Sequence, residues 1–260
     1  MIENKTLAIL IISCDLYSDL WKPALKNLKS YGKLTKLTTY LIGNEKKFKF
    51  PNVKQILVGP DSFWTSNLKK ALNEITEDYL LVLVDDFYLI NLDKDFNFEK
   101  TIAIMKKNNI IHLKFHNVPK ARINSKVNEI KLYEEDEPYG ISVCGFWHKQ
   151  TLSNLCVHEE SAWDFEINSA IRSKKFGITG SLLKPPFYCL NLIEKGKWSR
   201  KISKNFLIKN GFNINKRKFG NVFSNIKSLL KEVLFNMIIK INGRLRIKII
   251  NLFKKILVVY

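Results

Sequence analysis

Apolar residues recur in two different patterns along the first ninety residues of the chain. Nearly continuous apolar runs, typical of strands buried on both faces, cover residues 7–13 and 79–87, and two further strands are predicted over residues 36–43 and 53–59. Between the first two predicted strands, Leu20, Trp21, Leu25 and Leu28 recur at helical spacing and predict an amphipathic helix over residues 17–29. A second helix is predicted over residues 66–75. This alternation predicts an α/β fold, with a mostly parallel central sheet and helices on both faces.

Beyond residue 100 the pattern predicts a helix over residues 101–108 and a strand over residues 110–117. Residues 139–156 are expected to form a strand that leads into a helix, and a further helix is predicted over residues 158–173. No glycine-rich GxGxxG or GxxxxGK[ST] motif follows any predicted strand. A dinucleotide-binding Rossmann enzyme and a P-loop NTPase are therefore disfavoured.

Composition narrows the class of protein. The 260 residues are 46% hydrophobic and 12% aromatic, enough for a sizeable core. The four cysteines lie far apart without a CxxC pair, which predicts reduced and mostly buried thiols of a cytoplasmic protein. The N-terminus predicts a strand rather than a signal peptide, and no apolar stretch is long enough to span a membrane. The histidines lack metal-ligand spacing and are interpreted as core or surface residues: His112, His116, His148 and His158.

The net charge of +19 is concentrated at the C-terminus, since residues 195–260 hold 17 of the 43 Lys and Arg but one of the 24 Asp and Glu. We therefore predict a main domain over residues 1–205 and a basic amphipathic helical tail over residues 206–260. Within the tail, residues 221–260 carry an apolar stripe beside their cations. Such helices suit the anionic inner face of a cell membrane, or packing on the domain. Nucleic acid is a less favoured partner, because no nucleic-acid-binding module is recognisable.

Acidic residues follow two of the predicted strands. Asp15 comes after the first strand, and Asp85 and Asp86 close the fourth. Ligands of open α/β sheets bind at the carboxyl ends of the strands, so these acids are expected to leave the core at a binding crevice. Two carboxylates there can bind a hard divalent cation, which in turn neutralises a diphosphate. An acidic turn or helix cap is the alternative interpretation.

The predicted helix over residues 158–173 mixes acids with aromatic rings. Its apolar face is predicted to hold Trp163, Ile167, Ala170 and Ile171, and its polar face Glu160, Asp164 and Arg172. Glu159, Glu160, Asp164 and Glu166 are interleaved with Trp163 and Phe165. Rings beside carboxylates suit sugar binding, whereas acids near a helix start are also favoured by the helix dipole alone. Both interpretations stay open at this stage.

Three parts of the chain carry a resemblance to a known family. The first is IISCDLYSDLWKP near the start, and the second is YLLVLVDDFYL at the fourth strand. The third is discontinuous and consists of GFWHKQTLSNL, ESAWDFE and EKGKW. Over roughly residues 7–200 they resemble bacterial glycosyltransferases of the GT-A type, a Rossmann-like fold, encoded among genes for capsule, lipopolysaccharide or O-antigen synthesis. The resemblance implies that a DxD-like motif at Asp85 and Asp86 holds Mn²⁺ or Mg²⁺ against the diphosphate of a nucleotide-sugar. Phe87 replaces the third acid. Either Asp86 alone meets the metal and Asp85 faces the ribose or sugar, or no metal is used.

The resemblance also implies roles for other residues. Asp15 would meet the nucleotide, Phe63 and Trp64 would wall the donor site, and Lys197 would reach the diphosphate. The general base that activates the acceptor hydroxyl would be Asp164 or Glu166, with Asp164 slightly preferred. Trp147 and Trp163 would bind the acceptor, a glycan or lipid-linked glycan.

Two other functions remain possible on sequence grounds. A metal-dependent nucleotidyltransferase or phosphotransferase could use the same acid pair, although the acids near Trp163 would then have no clear duty. A basic scaffold or nucleic-acid-binding protein would work through its tail.

Overall fold

The computed structural model describes residues 6–135, 137–157 and 159–220, together with residues 233, 236–241, 243, 245, 246, 248 and 249. The strands are β1 (Leu7–Ile12), β2 (Thr39–Gly43), β3 (Val53–Leu57), β4 (Tyr79–Val84), β5 (Phe87–Ile90), β6 (Ile110–Lys114), β7 (Ile123–Asn124), β8 (Ile130–Leu132), β9 (Gly145–His148), β10 (Ile178–Leu182), β11 (Tyr188–Asn191), β12 (Ile193–Glu194) and β13 (Lys197–Trp198). The helices are α1 (Ser18–Lys29), α2 (Gly32–Thr35), α3 (Trp64–Glu74), α4 (Phe98–Lys107), α5 (Lys149–Leu155), α6 (Ala162–Arg172) and α7 (Lys204–Lys209).

Nine strands form the central sheet, in the order β3-β2-β1-β4-β9-β6-β10-β8-β7. The first four of these pair in parallel, as do β6 and β10. β9 runs antiparallel between β4 and β6, so its first residues lie at the edge where the parallel strands end. A small two-stranded sheet, β5 with β11, and the hairpin β12–β13 complete the strands of the described part. The predicted α/β fold with a mostly parallel sheet is confirmed.

The apolar runs form strands because both faces of the sheet are covered. In β1, Leu7, Ile9 and Ile11 pack into one core, whereas Ala8, Leu10 and Ile12 pack into the other. The first core receives the apolar sides of α1 and α4, and the second those of α3, α5 and α6. A strand with two buried faces needs apolar residues at every position, which explains the uninterrupted runs.

The predicted helix over residues 158–173 is observed as α6, but its buried face differs from the prediction. Trp163 is 66% exposed and Ile171 51% exposed. Phe165 is buried instead, because its ring packs against Trp64 and Trp147 with centroids 5.2 and 6.1 Å away. Helical spacing offered two candidate faces here, and packing against α3 and the sheet selected the one centred on Phe165.

His112 is a core residue, as interpreted from the sequence, and is fully buried in β6. Its Nδ1 lies 3.1 Å from the Phe146 carbonyl oxygen, and its Nε2 accepts the N–H of Ser142 at 3.2 Å. One ring nitrogen therefore donates and the other accepts, which requires the neutral form. Burial lowers the pKa of His112 to about 3, in agreement with that pattern. The four cysteines are free thiols, and of these Cys156 is fully buried; His158 lies outside the described residues.

Residues 206–220, which the sequence assigns to the tail, pack on the main body. Leu207 and Phe212 belong to a third apolar cluster with Leu20, Leu192 and Trp198. The predicted boundary at residue 205 therefore passes through a shared core. Most of the apolar stripe predicted over residues 221–260 lies outside the described residues. No helix of the described part is long and apolar enough to cross a membrane.

Candidate active site

The candidate site lies where two adjacent parallel strands end. β1 and β4 pair in register up to Ile12 and Val84, while the chain runs from β1 outward to β2 and β3 before it returns on the other side as β4. Such a reversal of strand order opens a crevice at the carboxyl ends of the strands, where ligands of open α/β sheets bind. Ser13 follows β1 at this edge, and the turn Asp85–Asp86 follows β4.

Three side chains connect the ends of β1 and β4 by hydrogen bonds. Trp21 Nε1 donates to Ser13 Oγ at 2.6 Å, and Ser13 Oγ donates to the carboxylate of Asp85. Asp85 is only 7% exposed, and burial raises its pKa to about 8 although the bond from Ser13 acts to lower it. The expectation that both acids leave the core is therefore wrong for Asp85, which remains inside.

Asp86 is the more accessible member of the acid pair. Its side chain is partly exposed, and burial raises its pKa to about 6, against the charge of Arg217. Its backbone oxygen accepts the N–H of Leu192 at 2.9 Å, which ties the turn to the segment before β12. Two adjacent carboxyls with raised pKa values in a crevice are typical of functional sites, because burial and neighbouring charges are arranged there to shift pKa values.

Two residues that the sequence did not single out, Tyr17 and Arg217, lie beside the acid pair. The guanidinium carbon of Arg217 lies 4.5 Å from the centre of the Tyr17 ring. Burial and the charges on Asp85 and Asp86 raise the pKa of the Tyr17 hydroxyl. Arg217 follows the acid pair by more than a hundred residues, within a basic run that shows no periodicity, so no local signal marks it.

Asp15 lies at the same edge, where it connects the ends of β1 and β2. Its carboxylate accepts the backbone N–H groups of Asn44 at 2.9 Å, Glu45 at 2.9 Å and Lys46 at 2.8 Å. Partial burial acts to raise the pKa of Asp15, but these donors lower it. A carboxylate with three such bonds supports the loop after β2. Its predicted contact with a nucleotide stays a prediction.

Glu166 of α6 approaches the same edge of the sheet. Its Oε1 accepts the N–H of Val143 at 2.7 Å, and Val143 lies just before β9. Burial raises the pKa of Glu166, whereas the charge of Lys114 acts to lower it. Lys114, at the end of β6, is 7% exposed and donates to the carbonyl oxygens of Val118 at 2.6 Å and Tyr139 at 2.7 Å. Burial lowers its pKa to about 8.

Cys144 lies directly before β9, next to Val143, whose N–H binds Glu166. Burial raises the pKa of its thiol, and the charges on Glu166 and Asp86 raise it further. β4 and β9 pair antiparallel with Val82 opposite Gly145, so the residues before β9 lie beside the end of β4, which the acid pair follows. The end of β4, the residues before β9 and the helix α6 therefore contribute to a single candidate site.

The other acids of the predicted cluster have structural contacts. The Glu160 carboxylate is buried and pairs with Arg172 at 2.6 Å. Asp164 Oδ2 accepts from Ser161 Oγ at 2.7 Å, and Ser161 Oγ accepts the N–H of Asp164 at 3.3 Å. This reciprocal arrangement caps the start of α6. The predicted role of Asp164 as general base stays a prediction, in competition with that capping role.

The predicted aromatic residues occupy different environments. Trp147 has no exposed surface, donates from Nε1 to the Val143 carbonyl oxygen at 2.9 Å and stacks on His112 at 4.0 Å between ring centres. This burial contradicts its predicted acceptor-binding role, since a ligand cannot reach a ring inside the core. Trp163 is 66% exposed and Phe63 50% exposed, whereas Trp64 is half-buried.

Lys197 is exposed on the hairpin β12–β13, where it pairs in register with Glu194. Lys195 and Gly196 form the turn of this hairpin, both with positive φ, at 51° and 73°. Two left-handed residues in succession are the geometry of a type I′ hairpin turn. Whether Lys197 reaches a diphosphate stays a prediction.

The donor set of the acid turn fits one kind of metal site. Among the described residues no group of three or more His, Cys, Asp or Glu side chains could hold a metal ion. Mg²⁺ is often bound through one or two carboxylates together with substrate phosphates and waters. Asp85 and Asp86 therefore fit a cation that arrives with a diphosphate, rather than one held by protein ligands alone.

Comparisons with known proteins reveal similarity at the level of the fold. No protein-family model matches the sequence, and no curated protein matches it. Among solved structures, the chain is similar to TarS 1–349 from S. aureus, with a TM-score of 0.50 and 11% identity over 70% of this chain and 59% of that one. It is also similar to a UTP-bound UGPase from Acinetobacter baumannii, with a TM-score of 0.50 and 11% identity over 79% of this chain and 91% of that one. The chain thus shares the α/β fold of these structures, and it spans 59% of the TarS chain.

Proposed function

We propose that this protein is a glycosyltransferase that moves a sugar from a nucleotide-diphosphate-sugar to a carbohydrate acceptor. The observation that carries the proposal is the Asp85–Asp86 turn at the point where the strand order reverses, with both carboxyl pKa values raised by burial. A crevice at that position is the usual ligand site of an open α/β sheet. The sequence resemblance to GT-A glycosyltransferases assigns the same turn to the donor.

The donor class follows from the fold and this turn. UTP is bound in the UGPase structure, and TarS 1–349 has also been solved in complex with UDP-GlcNAc. Uridine diphosphate sugars are therefore the first donors to test. Asp86, with Asp85 beside it, would hold Mn²⁺ or Mg²⁺. When bound, such a cation supplies positive charge that offsets the negative charge of the diphosphate. Asp15 and Trp64 are proposed to border the nucleotide, and Lys197 to face the diphosphate.

Glu166 is the better candidate for the general base. A base works best with a pKa near the operating pH, and burial raises the pKa of Glu166 toward that range. Asp164, in contrast, is engaged with Ser161 at the start of α6. The exposed ring of Trp163, on the same helix, is proposed to stack on a pyranose of the acceptor.

The acceptor and the cellular location are proposed from the charge distribution. A glycan or lipid-linked glycan of a surface polysaccharide such as capsule, lipopolysaccharide or O-antigen would suit an enzyme at the inner face of the cell membrane. The excess of Lys and Arg over residues 195–260 would bind anionic lipid there. Binding of the intact chain to liposomes with and without anionic lipid tests this part of the proposal.

The first experiment is a thermal-shift screen against UDP-, GDP-, CMP- and dTDP-sugars, with and without Mn²⁺. A ligand at a hundred times its dissociation constant stabilises the folded state by about 2.7 kcal/mol, which raises the melting temperature measurably. We expect one nucleotide class to bind in a Mn²⁺-dependent way that Asp86→Ala abolishes. If no nucleotide raises the melting temperature of the wild type under either condition, the proposed donor site is wrong.

The second experiment compares two acids of α6 with the matched substitutions Glu166→Gln and Asp164→Asn. Release of nucleoside diphosphate from the donor found in the screen is measured in the presence of candidate acceptors. Loss of a general base lowers the rate by about 10²–10⁴-fold, so Glu166→Gln should lose activity to that extent while it still binds the donor. Asp164→Asn should keep most of the activity, since asparagine retains an oxygen that accepts from Ser161 Oγ. The reverse result would assign the base to Asp164.

A nucleotidyltransferase is the second candidate, favoured by the likeness to UGPase that extends over 91% of that chain. Such an enzyme would join a nucleoside triphosphate to a sugar 1-phosphate and release pyrophosphate. Incubation with UTP and glucose 1-phosphate, followed by a pyrophosphate assay, separates the two reactions. Release of pyrophosphate, without release of nucleoside diphosphate from UDP-sugars, would replace the glycosyltransferase proposal.

A further inference from the structure

Arg217 joins three separate segments of the chain beside the acid turn. Its Nε and Nη2 donate to the two carboxylate oxygens of Asp19, at 2.9 and 2.6 Å. Nη2 also donates to the backbone oxygen of Leu16 at 2.7 Å, and Nη1 donates to that of Gly196 at 3.3 Å. Arg217 thereby connects the loop after β1, the hairpin β12–β13 and its own C-terminal segment.

The segment that carries Arg217 is itself held firmly. Trp198 donates its backbone N–H to the oxygen of Lys218 at 2.9 Å and accepts the N–H of Gly220 at 3.0 Å. The Trp198 indole donates to the Ile214 oxygen at 3.1 Å, and its ring is fully buried. Because these contacts lie on either side of Arg217, they fix the backbone from which its side chain extends.

The guanidinium also determines what the loop after β1 presents to the crevice. It covers one face of the Tyr17 ring at 4.5 Å, and Leu16, whose oxygen it binds, keeps 80% of its own surface exposed. Its positive charge acts on both members of the acid turn, Asp85 and Asp86. An arginine whose fork pairs with a carboxylate through two parallel bonds holds a fixed geometry that lysine cannot reproduce.

We propose that Arg217 is a positioning residue of the donor site, which holds the Leu16–Asp19 loop and the Tyr17 ring in place for a nucleoside diphosphate. This inference rests on the proposed function, because the ligand is the nucleotide part of the proposed donor. The C-terminal segment is thereby part of the donor site and not an appendage to it. Arg217 acts through the loop, so its loss should weaken donor binding more than it slows the transfer step.

The test uses the full-length chain with five variants: Arg217→Gln, Arg217→Lys, Asp19→Asn, the double variant of Asp19→Asn with Arg217→Gln, and the matched control Arg200→Gln. Arg200 is exposed and lines a separate cleft of about 390 Å³ with Ile202, Lys204, Phe219 and Gly220. Its substitution therefore changes the same charge without touching the loop. Affinity for UDP with Mn²⁺ is measured by calorimetry, and backbone hydrogen exchange of residues 14–19 is measured without ligand.

Arg217→Gln should weaken UDP binding at least tenfold and speed backbone hydrogen exchange over residues 14–19. Asp19→Asn should have a similar effect, and the double variant should be no worse than Arg217→Gln alone, since both changes break one contact. Arg217→Lys should restore little, because lysine lacks the fork. With the donor sugar, the KM should rise while kcat changes less than threefold. Arg200→Gln should match the wild type in every measurement.

The possible failures are distinguishable. If the wild type binds UDP but Arg217→Gln binds it equally well, or no worse than Arg200→Gln, the positioning role is wrong and the proposed function stands. Strictly additive losses from Asp19→Asn and Arg217→Gln would also overturn it. If the wild type binds no nucleotide at all, the proposed function fails and this inference fails with it, whatever the hydrogen exchange of the loop.

Discussion

The buried carboxyl of Asp85 predicts how the stability of this protein depends on pH. Burial raises its pKa to about 8 in the folded chain, against its ordinary value of 3.8. The folded state therefore holds a proton that the unfolded state has lost throughout the interval between these values. Stability from this group is fully present below about pH 4 and declines until pH 8, because unfolding releases the proton more readily as the pH rises.

The magnitude can be worked out from the substitution Asp85→Asn. Asparagine keeps an acceptor for Ser13 Oγ but does not ionise, so the variant lacks this pH dependence. Each pH unit in the interval is worth about 1.4 kcal/mol. The variant should therefore exceed the wild type in unfolding free energy by about 1 kcal/mol at pH 4.5, and by about 5 kcal/mol at pH 8. Above pH 9 the difference should stay constant.

Urea unfolding followed by tryptophan fluorescence, in the presence of EDTA, measures the difference at each pH. EDTA removes divalent cations that would stabilise the ionised carboxylate. Asp95→Asn is the matched control, because it makes the same chemical change at an exposed position. A difference for Asp85→Asn that stays constant from pH 4.5 to 8.5, or that favours the wild type at high pH, would refute the reasoning.

Three further substitutions test the packing around the site by urea unfolding. Trp147→Ala should lower the unfolding free energy by about 3–5 kcal/mol, the usual cost of removing a large buried aromatic ring; a change below 1 kcal/mol would contradict its place in the core. Gly145→Ala should also destabilise strongly, because Gly145 has a φ of 156° and an added Cβ would lie 2.4 Å from His112 Cε1. Glu160→Gln should cost about 3 kcal/mol, since it leaves the partly buried guanidinium of Arg172 without its ion pair; Glu160→Gln combined with Arg172→Met should recover part of that loss.

The first half of the fold was predictable because its signals are local. Buried strands need apolar residues at every position, so β1 and β4 are evident from their own sequences. The amphipathic helix α1 is evident from the spacing of its apolar residues. The acids at the strand ends were also predictable, since a charged residue directly after a buried strand has few places to go other than the edge of the sheet. The local pattern does not show how deeply a side chain is buried, and the sequence therefore predicted that Asp85 leaves the core, in which it is in fact buried.

The exposure of the predicted site residues depends on contacts between distant parts of the chain. Trp163 and Trp147 were both predicted to bind the acceptor, yet Trp163 on α6 is 66% exposed, whereas Trp147 on β9 has no exposed surface. For α6, the apolar spacing predicted that Trp163 faces the core, whereas the structure buries Phe165. Contact of Phe165 with Trp64 selected the face, and that contact joins elements about a hundred residues apart in the chain.

By itself, the sequence determined the α/β class, the order of strands β1 to β4 with helices α1 and α3 between them, and the position of the acid pair at the end of β4. These features depend on burial and periodicity, which act over a few residues. Only the tertiary structure decided that Glu166 binds the N–H of Val143 before β9, and that Arg217 from the C-terminal segment contacts the loop after β1. It also decided that Asp164 pairs with Ser161, the residue that caps α6. Such placements depend on which distant surfaces pack together, and the free energy of that packing is spread over the whole core and is not encoded in any short stretch of residues.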